Sequence, residues 1–293
     1  MGRDIAVVTD SNSGITQKQA ERMGVSVIPM PFDVDGTTYF EDISLTQEQF
    51  YERLAQGADI VTSQPSPEAV MSLWDHLLES HDEIVHIPMS SGLSASCATA
   101  QMLAEDYEGR VFVADNHRIS ISQKSSVWDA VALREAGCGA QEIRRELEAS
   151  GLDSIVYVGV ETLEYLRRGG RVTAGAAAIG AVLQIKPLLK IEGELLDACA
   201  KVRGTAGCKK KLLETIRGDA ERLSAKWDID IAVASSYQDA AALEDWREMA
   251  MNAFPEHGGI FADPLSFSVS SHVGPDAFGM AVSRRLARTK DGI

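Results

Sequence analysis

The sequence predicts an α/β protein with two lobes: a first lobe built on a parallel sheet over residues 1–153, and a mixed-sheet α+β lobe over residues 154–293. The length of 293 residues favours two lobes, because a single hydrophobic core rarely grows beyond roughly 250 to 300 residues. Short apolar segments alternate with amphipathic ones up to about residue 153, which is typical of a parallel sheet covered by helices. After Gly151 this alternation is lost, so a mixed architecture is expected there.

In the first lobe the apolar segments have the length of strands, and several amphipathic segments begin with Ser, Thr or Pro, which favour helix N-termini. The predicted strands cover residues 5–8, 25–28, 84–87 and 111–114. The predicted helices cover residues 16–23, 46–54, 67–80, 95–107 and 120–136. Ligands of such sheets bind beyond the carboxyl ends of the strands. We therefore expect three hydroxyl-rich segments to share one rim of the sheet, at residues 9–11, 62–66 and 90–94.

The second lobe is predicted to begin with a strand at residues 154–160 and a short helix at 163–168, which Gly169 and Gly170 end. Glycine between two apolar strands indicates a tight turn, so a hairpin is expected around Gly193. Its strands are predicted at residues 187–191 and 195–201, after an Ala/Gly-rich helix at 173–183. The remaining predicted elements are a helix at 205–226, a strand at 229–234, a helix at 239–254 and two terminal strands around 259–271.

Composition and charge argue against several classes of protein. A formal charge of −15 disfavours nucleic acid and anionic membranes as partners. The N-terminal segment lacks the apolar core of a signal peptide, and no apolar run approaches the roughly 20 residues of a membrane helix, so a cytoplasmic location is expected. The four cysteines form no C-x-x-C pair and the histidines show no metal-binding spacing, so neither a disulfide framework nor a metal site is expected.

The charge is unevenly distributed along the chain. Residues 151–211 carry ten Lys and Arg against six Asp and Glu, a net charge of +4 in an otherwise acidic chain. Such a segment is either a solvated face or a docking surface for an acidic partner. In the second case, an interaction module without lipid, Arg167, Arg168 and Arg171 are the residues expected to contact the partner.

The segment Thr62-Ser63-Gln64-Pro65-Ser66-Pro67 places hydroxyl groups ahead of a helix that begins at Pro67. Free N–H groups at a helix N-terminus and side-chain donors can together bind one anion. Ser66 is accounted for as the N-cap of this helix. Thr62 and Ser63 lie too far upstream to cap it, and they remain candidate ligand-binding residues.

The segment Ser90-Ser91-Gly92-Leu93-Ser94-Ala95-Ser96 follows a predicted strand and precedes a helix. Glycine allows close approach of the backbone, and hydroxyl groups at a helix N-terminus suit a carboxylate or a phosphate. One serine suffices as a cap, whereas the segment contains four. Ser91, Gly92 and Ser94 are therefore candidate ligand-binding residues.

The same segment supports an alternative function, a serine esterase or hydrolase. Residues 92–96 resemble the G-x-S-x-G turn of serine hydrolases, although Ser96 replaces the second glycine. Ser94 would be the nucleophile and His272, in a turn-rich segment, the base. No acid is marked as the partner of this histidine. A non-catalytic His272 would instead donate a hydrogen bond to a carboxylate or offset its charge.

Two further motifs bear on function. Asp10, after the first predicted strand, is expected to hold its loop through a turn made by its own carboxylate. The chain contains neither a G-x-x-x-x-G-K loop nor a G-x-G-x-x-G fingerprint, which disfavours nucleotide binding.

Seven motifs in order resemble the DegV family, and they extend over most of the chain. They are V-x-T-D-S at residues 7–11, T-S-Q-P-S at 62–66, S-S-G-L-S at 90–94, L-x-x-L-x-x-G-G-R at 163–171, I-K-P-L-L at 185–189, K-V-R-G at 201–204 and H-x-G-P at 272–275. Each motif alone has little specificity. Their common order makes the resemblance specific.

The resemblance implies a two-lobed protein that binds a long-chain fatty acid such as palmitate, with no other cofactor. It also implies that the protein is the non-catalytic, acyl-carrying subunit of a fatty acid kinase, whose separate catalytic subunit forms the acyl phosphate. By the same resemblance, Thr62 and Ser94 bind the carboxylate, with His272 nearby and Arg203 as a further candidate. The chain departs from the family pattern at Ala95-Ser96 and at Asp276, and Asp276 brings a negative charge towards the expected carboxylate.

Overall fold

The structure, a computed structural model, describes residues 4–41, 43–178 and 185–286. Within these ranges the strands are β1 (Ile5–Asp10), β2 (Ser26–Ile28), β3 (Pro31–Val34), β4 (Thr37–Phe40), β5 (Ile60–Thr62), β6 (Glu83–Ile87), β7 (Val111–Val113), β8 (Ser154–Gly159), β9 (Ile185–Ile191), β10 (Asp197–Arg203), β11 (Ile229–Ser235), β12 (Phe261–Pro264) and β13 (Phe278–Arg284). The helices are α1 (Gln17–Met23), α2 (Gln47–Ala55), α3 (Pro67–Leu78), α4 (Ser96–Ala104), α5 (Ser120–Glu135), α6 (Ala140–Ala149), α7 (Glu164–Gly169), α8 (Ala174–Ala177), α9 (Thr205–Ser224), α10 (Ala240–Ala253) and α11 (Phe267–Val273).

The first lobe contains the predicted parallel sheet, in the strand order β2-β1-β6-β7. Strand β1 is buried on both faces. Ile5 and Val7 pack into one apolar cluster, and Ala6 and Val8 pack into another on the opposite face. Side chains alternate between the faces of a strand, so a continuous apolar run is what a sheet covered on both sides requires. The fold class predicted for this lobe is confirmed.

The second lobe contains a mixed six-stranded sheet in the order β10-β9-β8-β13-β11-β12. Only the β11–β12 pair is parallel among these strands. Ile155 and Tyr157 face helices α9 and α10 in one cluster, whereas Val156 and Val158 belong to a cluster that also includes Met89 from the first lobe. One face of this sheet therefore turns towards the first lobe. The mixed sheet is confirmed, while the division of the chain at residue 153 stays a prediction.

A small antiparallel sheet, in the order β4-β3-β5, was not predicted from the sequence. Its first turn contains Asp35 and Gly36, both with positive φ, at 50° and 81°. Asp-Gly between two apolar segments is a strong signal for such a hairpin. Phe32 of this sheet packs against Phe50 and Phe267. The sheet matters for the site because Thr62 is the last residue of β5.

The C-terminal part of the chain corrects the sequence prediction. The first of the two predicted terminal strands corresponds to β12, but the second is wrong, because Phe267–Val273 is helix α11. Ser266 caps this helix by accepting a hydrogen bond from the N–H of Val269 at 3.2 Å. The alternation of serine with apolar residues suggested a strand. In the helix, the hydroxyl of Ser271 donates a hydrogen bond to the carbonyl oxygen of Ser268. The final strand is β13, which pairs with β8 and β11.

Two other helices differ from the prediction. Helix α6 was not predicted, although its apolar residues Ile143 and Leu147 are buried at helical spacing. Helix α8 covers only Ala174–Ala177 of the Ala/Gly-rich segment, and residues 179–184 of the predicted helix lie outside the described ranges. The predicted hairpin around Gly193 is confirmed as β9 and β10.

A buried ion pair joins the two lobes. Lys124 on α5 donates to both carboxylate oxygens of Asp263 on β12, at 2.9 and 2.7 Å. Burial raises the pKa of Asp263, and the nearby Lys124 partly counters that effect. Removing either partner would leave an uncompensated buried charge, so the pair holds α5 against the second sheet.

Candidate functional site

An apolar cavity of about 210 Å³ lies between the two sheets. Aliphatic side chains from both lobes line it, among them Met30, Met89 and Ile119 from the first lobe and Val156, Val158 and Ala234 from the second. Such a cavity has the chemistry of a site for a hydrocarbon ligand, because an apolar chain transferred into it leaves water without losing hydrogen bonds.

Polar groups that the sequence analysis selected meet at one part of this cavity. Thr62, Ser63, Ser94 and His272 are all among its lining residues. The hydroxyl of Thr62 lies 2.9 Å from Nε2 of His272, although the two residues are 210 positions apart in the chain. Thr62 is presented by the end of β5, and His272 by the last turn of α11. The fold therefore assembles a group of hydrogen-bonding side chains at one part of a largely apolar cavity.

The imidazole of His272 is held in place by the backbone of Gly169. A Cβ atom on Gly169 would lie 2.8 Å from Cε1 of the ring and closer still to Nδ1. Burial, together with the positive charge of Arg171, lowers the pKa of His272 to about 4. The imidazole is therefore neutral at pH 7, and it keeps one N–H group for hydrogen bonding.

Arg171 is the cation that the structure brings to this site. It lines the cavity, and its guanidinium donates to the Leu93 carbonyl at 3.3 Å and to the Gly169 carbonyl. Arg203, the cation that the family resemblance suggested, is an exposed residue at the end of β10 and does not line the cavity. The signal for Arg171 was present in the motif L-x-x-L-x-x-G-G-R, where the residue was assigned only to the basic segment.

The loop at residues 90–94 has two separate roles. Ser94 lines the cavity, whereas Ser91 is exposed. A Cβ on Gly92 would lie 2.6 Å from the carbonyl oxygen of Gly193, and the Ser90 hydroxyl donates to that same oxygen. Gly92 thus allows the hairpin of the second lobe to pack closely on this loop. The structure does not bring Ser91 or Gly92 to the cavity lining.

The geometry does not assemble the catalytic pair of a serine hydrolase. Within the described part of the chain, His272 hydrogen-bonds to Thr62 and to no carboxylate. The hydroxyl of Ser94 accepts a hydrogen bond from the N–H of Ser96 at 3.2 Å. An activated serine needs a hydrogen-bonded base that a third group orients. The hydrogen bonds of Ser94 in the described structure therefore include none to a base that would activate it as a nucleophile.

Two acidic residues considered in the sequence analysis lie off the cavity lining. Asp10 accepts from the N–H of Asn12 at 3.0 Å and from that of Met89 at 2.8 Å, which confirms the expected turn, and burial raises its pKa. Asp276 is exposed, with a positive φ of 56°. The negative charge of Asp276 therefore does not enter the cavity.

A surface recess of about 160 Å³ lies on the outer side of the polar group. Thr62, Arg171 and His272 line both the recess and the cavity. Tyr165 and Arg168 also line the recess, and the side chain of Arg168 is 54% exposed. A ligand group bound by Thr62 and His272 would lie next to a surface that another molecule can reach.

The described residues contain no group of three or more His, Cys, Asp or Glu side chains suited to a metal ion. Within the same ranges, none of the helices combines the length and the apolar composition needed to cross a membrane.

Comparisons with known proteins agree with the motifs. A family model described as "Uncharacterised protein, DegV family" matches residues 4–285. A DegV domain-containing protein of Deinococcus radiodurans is 30% identical over 279 residues, which cover 95% of this chain and 98% of that protein. The solved structure of a DegV family protein from Thermus thermophilus, described as fatty acid binding, matches with a TM-score of 0.87 and 29% identity over 96% of this chain and 99% of the other. DegV of Bacillus subtilis, described as a fatty acid binding protein, matches with a TM-score of 0.82 and 25% identity over 97% and 100%.

Proposed function

Because the chain belongs to the DegV family, we propose that it is a cytoplasmic protein that holds one long-chain fatty acid, such as palmitate, non-covalently between its lobes. We propose further that it presents the carboxylate of this ligand to a separate fatty acid kinase subunit. The protein itself does no chemistry on the lipid and needs no cofactor.

The observation that carries the proposal is the largely apolar cavity with a group of hydroxyl, imidazole and guanidinium side chains at one part of its lining. The apolar part of the lining matches the hydrocarbon tail of a fatty acid, and the polar group matches its carboxylate. The hydrocarbon tail supplies affinity through burial, at about 0.8 kcal/mol per methylene. Hydrogen bonds to the charged head group supply orientation, at about 1.5 to 3 kcal/mol each.

The protonation state of the site suits a carboxylate. The hydroxyls of Thr62 and Ser94 donate hydrogen bonds without adding charge. A neutral His272 with its proton on Nε2 donates to the Thr62 oxygen and so leaves the Thr62 proton for the carboxylate, and Arg171 supplies the positive charge that offsets the buried anion. The relatives from Thermus thermophilus and Bacillus subtilis, both described as fatty acid binding, support the same assignment.

The ligand itself provides the direct test. Native mass spectrometry of freshly purified protein is expected to show one acyl chain per protein, and organic extraction should release a free fatty acid. Thr62→Ala combined with Ser94→Ala should weaken retention of added palmitate by about tenfold or more, because two hydrogen bonds to a charged group are lost. Absence of any bound acyl chain, before and after adding fatty acid, would disprove the binding function.

The matched control combines Thr38→Ala with Ser80→Ala, since both residues are exposed and neither lines the cavity. Retention in this variant should equal that of the unmodified protein. If the Thr62 and Ser94 variant also retains palmitate normally, these two residues do not bind the head group.

The recess beside Thr62 and His272 supports presentation of the carboxylate to a kinase subunit. In an assay with palmitate, ATP and a fatty acid kinase catalytic subunit, Arg168→Glu is expected to lower the rate of acyl phosphate formation at least about tenfold. The substitution reverses an exposed charge at the recess, where the catalytic subunit and the phosphate groups of ATP would approach. Palmitate retention should stay unchanged.

Arg145→Glu is the control for this charge reversal. Arg145 is also an exposed arginine next to a glutamate, and it does not line the recess. Equal rates for the two variants would show that the recess is not the surface that the kinase contacts.

A further inference from the structure

The cavity lining contains a second set of polar side chains, separate from the head-group residues. Asn12, Ser120 and Ser268 line the cavity among aliphatic neighbours. None of them is needed to bind a carboxylate at Thr62 and His272. An unsubstituted hydrocarbon tail offers no hydrogen bond to any of them.

Two of these residues are largely buried, and their hydroxyls have no protein partner. Ser120 is 7% exposed and Ser268 is 5% exposed. In the part of the chain that the structure describes, the hydroxyl of neither residue makes a hydrogen bond, whereas the nearby Ser122 and Ser271 bond to main-chain carbonyls. Neither hydroxyl oxygen is sealed inside the protein, so both are open to the cavity and can pair with a polar ligand group there.

The third polar group, Asn12, has a carbonyl oxygen with only a distant partner. Asn12 is fully buried, its side-chain N–H donates to the sulfur of Met89 at 2.9 Å, and its carbonyl accepts from the Ser266 hydroxyl at 3.5 Å. The Asn12 side chain also hydrogen-bonds to the carboxylate of Asp10. The bond that its carbonyl oxygen accepts is long at 3.5 Å, so this oxygen keeps capacity for a closer donor.

The position of Ser268 places this second set near the proximal part of a bound chain. Ser268 lies four residues before His272 on α11, so the two side chains project from the same face of the helix. The rise of a helix separates them by roughly 6 Å along its axis. Ser266, at the N-cap of α11, reaches Asn12 on the first lobe. A ligand whose carboxylate lies at His272 passes this region within its first several carbons.

We propose that the cavity selects fatty acids with an oxygen substituent, a hydroxyl or keto group, on the proximal half of the acyl chain. This proposal rests on the proposed fatty acid binding and specifies its substrate class. A chain hydroxyl both donates and accepts, so it can pair with the Ser120 or the Ser268 hydroxyl, to which an unsubstituted chain offers no hydrogen bond. A site with such groups discriminates against an analogue that lacks the matching oxygen.

The test compares binding of stearic acid with a series of hydroxystearic acids whose hydroxyl moves from near the carboxyl group to the far end of the chain. We expect at least one proximal isomer to bind about tenfold more tightly than stearic acid, which corresponds to about 1.4 kcal/mol. Ser120→Ala combined with Ser268→Ala should remove this preference while stearic acid still binds.

Two further variants make the test specific. Ser122→Ala is the matched control, because Ser122 is a buried serine of the same helix whose hydroxyl already bonds to the Ile119 carbonyl at 2.7 Å. The Ser122→Ala variant should prefer the hydroxylated isomer over stearic acid as strongly as the unmodified protein does. Ser120→Gly combined with Ser268→Ala guards against misfolding, since the φ of Ser120 is 54° and glycine adopts that conformation without strain.

Equal affinities for stearic acid and every hydroxylated isomer would overturn the proposal. The cavity would then not distinguish hydroxylated from unsubstituted fatty acids. A preference that persists in both double variants would also overturn it, because the oxygen would be recognised elsewhere. If neither class of fatty acid binds, the proposed fatty acid binding fails as well, which distinguishes that result from the other two.

Discussion

Ala234→Phe is expected to reduce palmitate affinity by more than about a hundredfold. Ala234 lies on β11, is 1% exposed and lines the cavity between the lobes. Burying about 14 methylenes gives roughly 11 kcal/mol of gross favourable free energy, before the ordering costs of binding. A phenyl ring here takes the space of about four methylenes, which costs roughly 3 kcal/mol of that free energy.

Affinity is measured by titrating delipidated protein with a fluorescent or isotopically labelled fatty acid. The control is Ala241→Phe, which introduces the same ring at an exposed position of α10. Thermal unfolding of the ligand-free proteins separates lost binding from overpacking, because an overpacked core unfolds at a lower temperature. Normal palmitate affinity in a stably folded Ala234→Phe protein would mean that the tail does not occupy this cavity.

Gly169→Ala is expected to displace His272 and to lower palmitate affinity about tenfold or more. The added methyl group would collide with the imidazole, whose ring atoms lie against Gly169. The ring must then rotate away from Thr62 and break the 2.9 Å hydrogen bond between them. The head group loses an oriented donor and the tail contacts remain, so the loss should be smaller than that caused by filling the cavity.

Nuclear magnetic resonance of the histidine ring protons distinguishes this mechanism from a general loss of structure. The pKa of His272 is held at about 4 by burial and by the charge of Arg171, so a displaced, more solvated ring should titrate closer to 6.5. Gly218→Ala on α9 is the control, because a Cβ there meets no atom within 4 Å. An unchanged pKa for His272 in Gly169→Ala would contradict the proposed contact.

The local sequence was sufficient to predict much of the scaffold. Strand β1 begins with the continuous apolar run of residues 5–8, so burial on both of its faces follows from composition alone. Ser66 is the N-cap of α3 as predicted, accepting from the N–H of Ala69 at 3.1 Å, because the Ser-Pro pattern determines that geometry locally. The hydroxyl-rich segments were predicted as ligand-binding for the same local reason.

Elements that depend on distant partners were predicted less well. The sequence of α11 alternates serine with apolar residues and suggested a strand, but its helical form is stabilised by packing of Phe267 against Phe32 of the small antiparallel sheet and Phe50 of α2. The cation nearest the cavity could not be chosen from the sequence for a related reason. Arg171 and Arg203 both belong to the basic segment, and only the fold brings Arg171 to the Leu93 carbonyl beside Ser94.

The sequence by itself determined the α/β scaffold, the hydroxyl-rich segments and, through the order of the motifs, the family. The tertiary structure alone decided which of those groups share one site. Thr62 and His272 meet because β5 and α11 pack together, and Ser91 and Gly92 are kept from the cavity because the Gly193 hairpin packs on their loop. Hydrogen bonds and burial act between residues that are close in space. Thr62 and His272 are 210 positions apart in the chain, and only the packing of the two lobes around a common cavity brings them together.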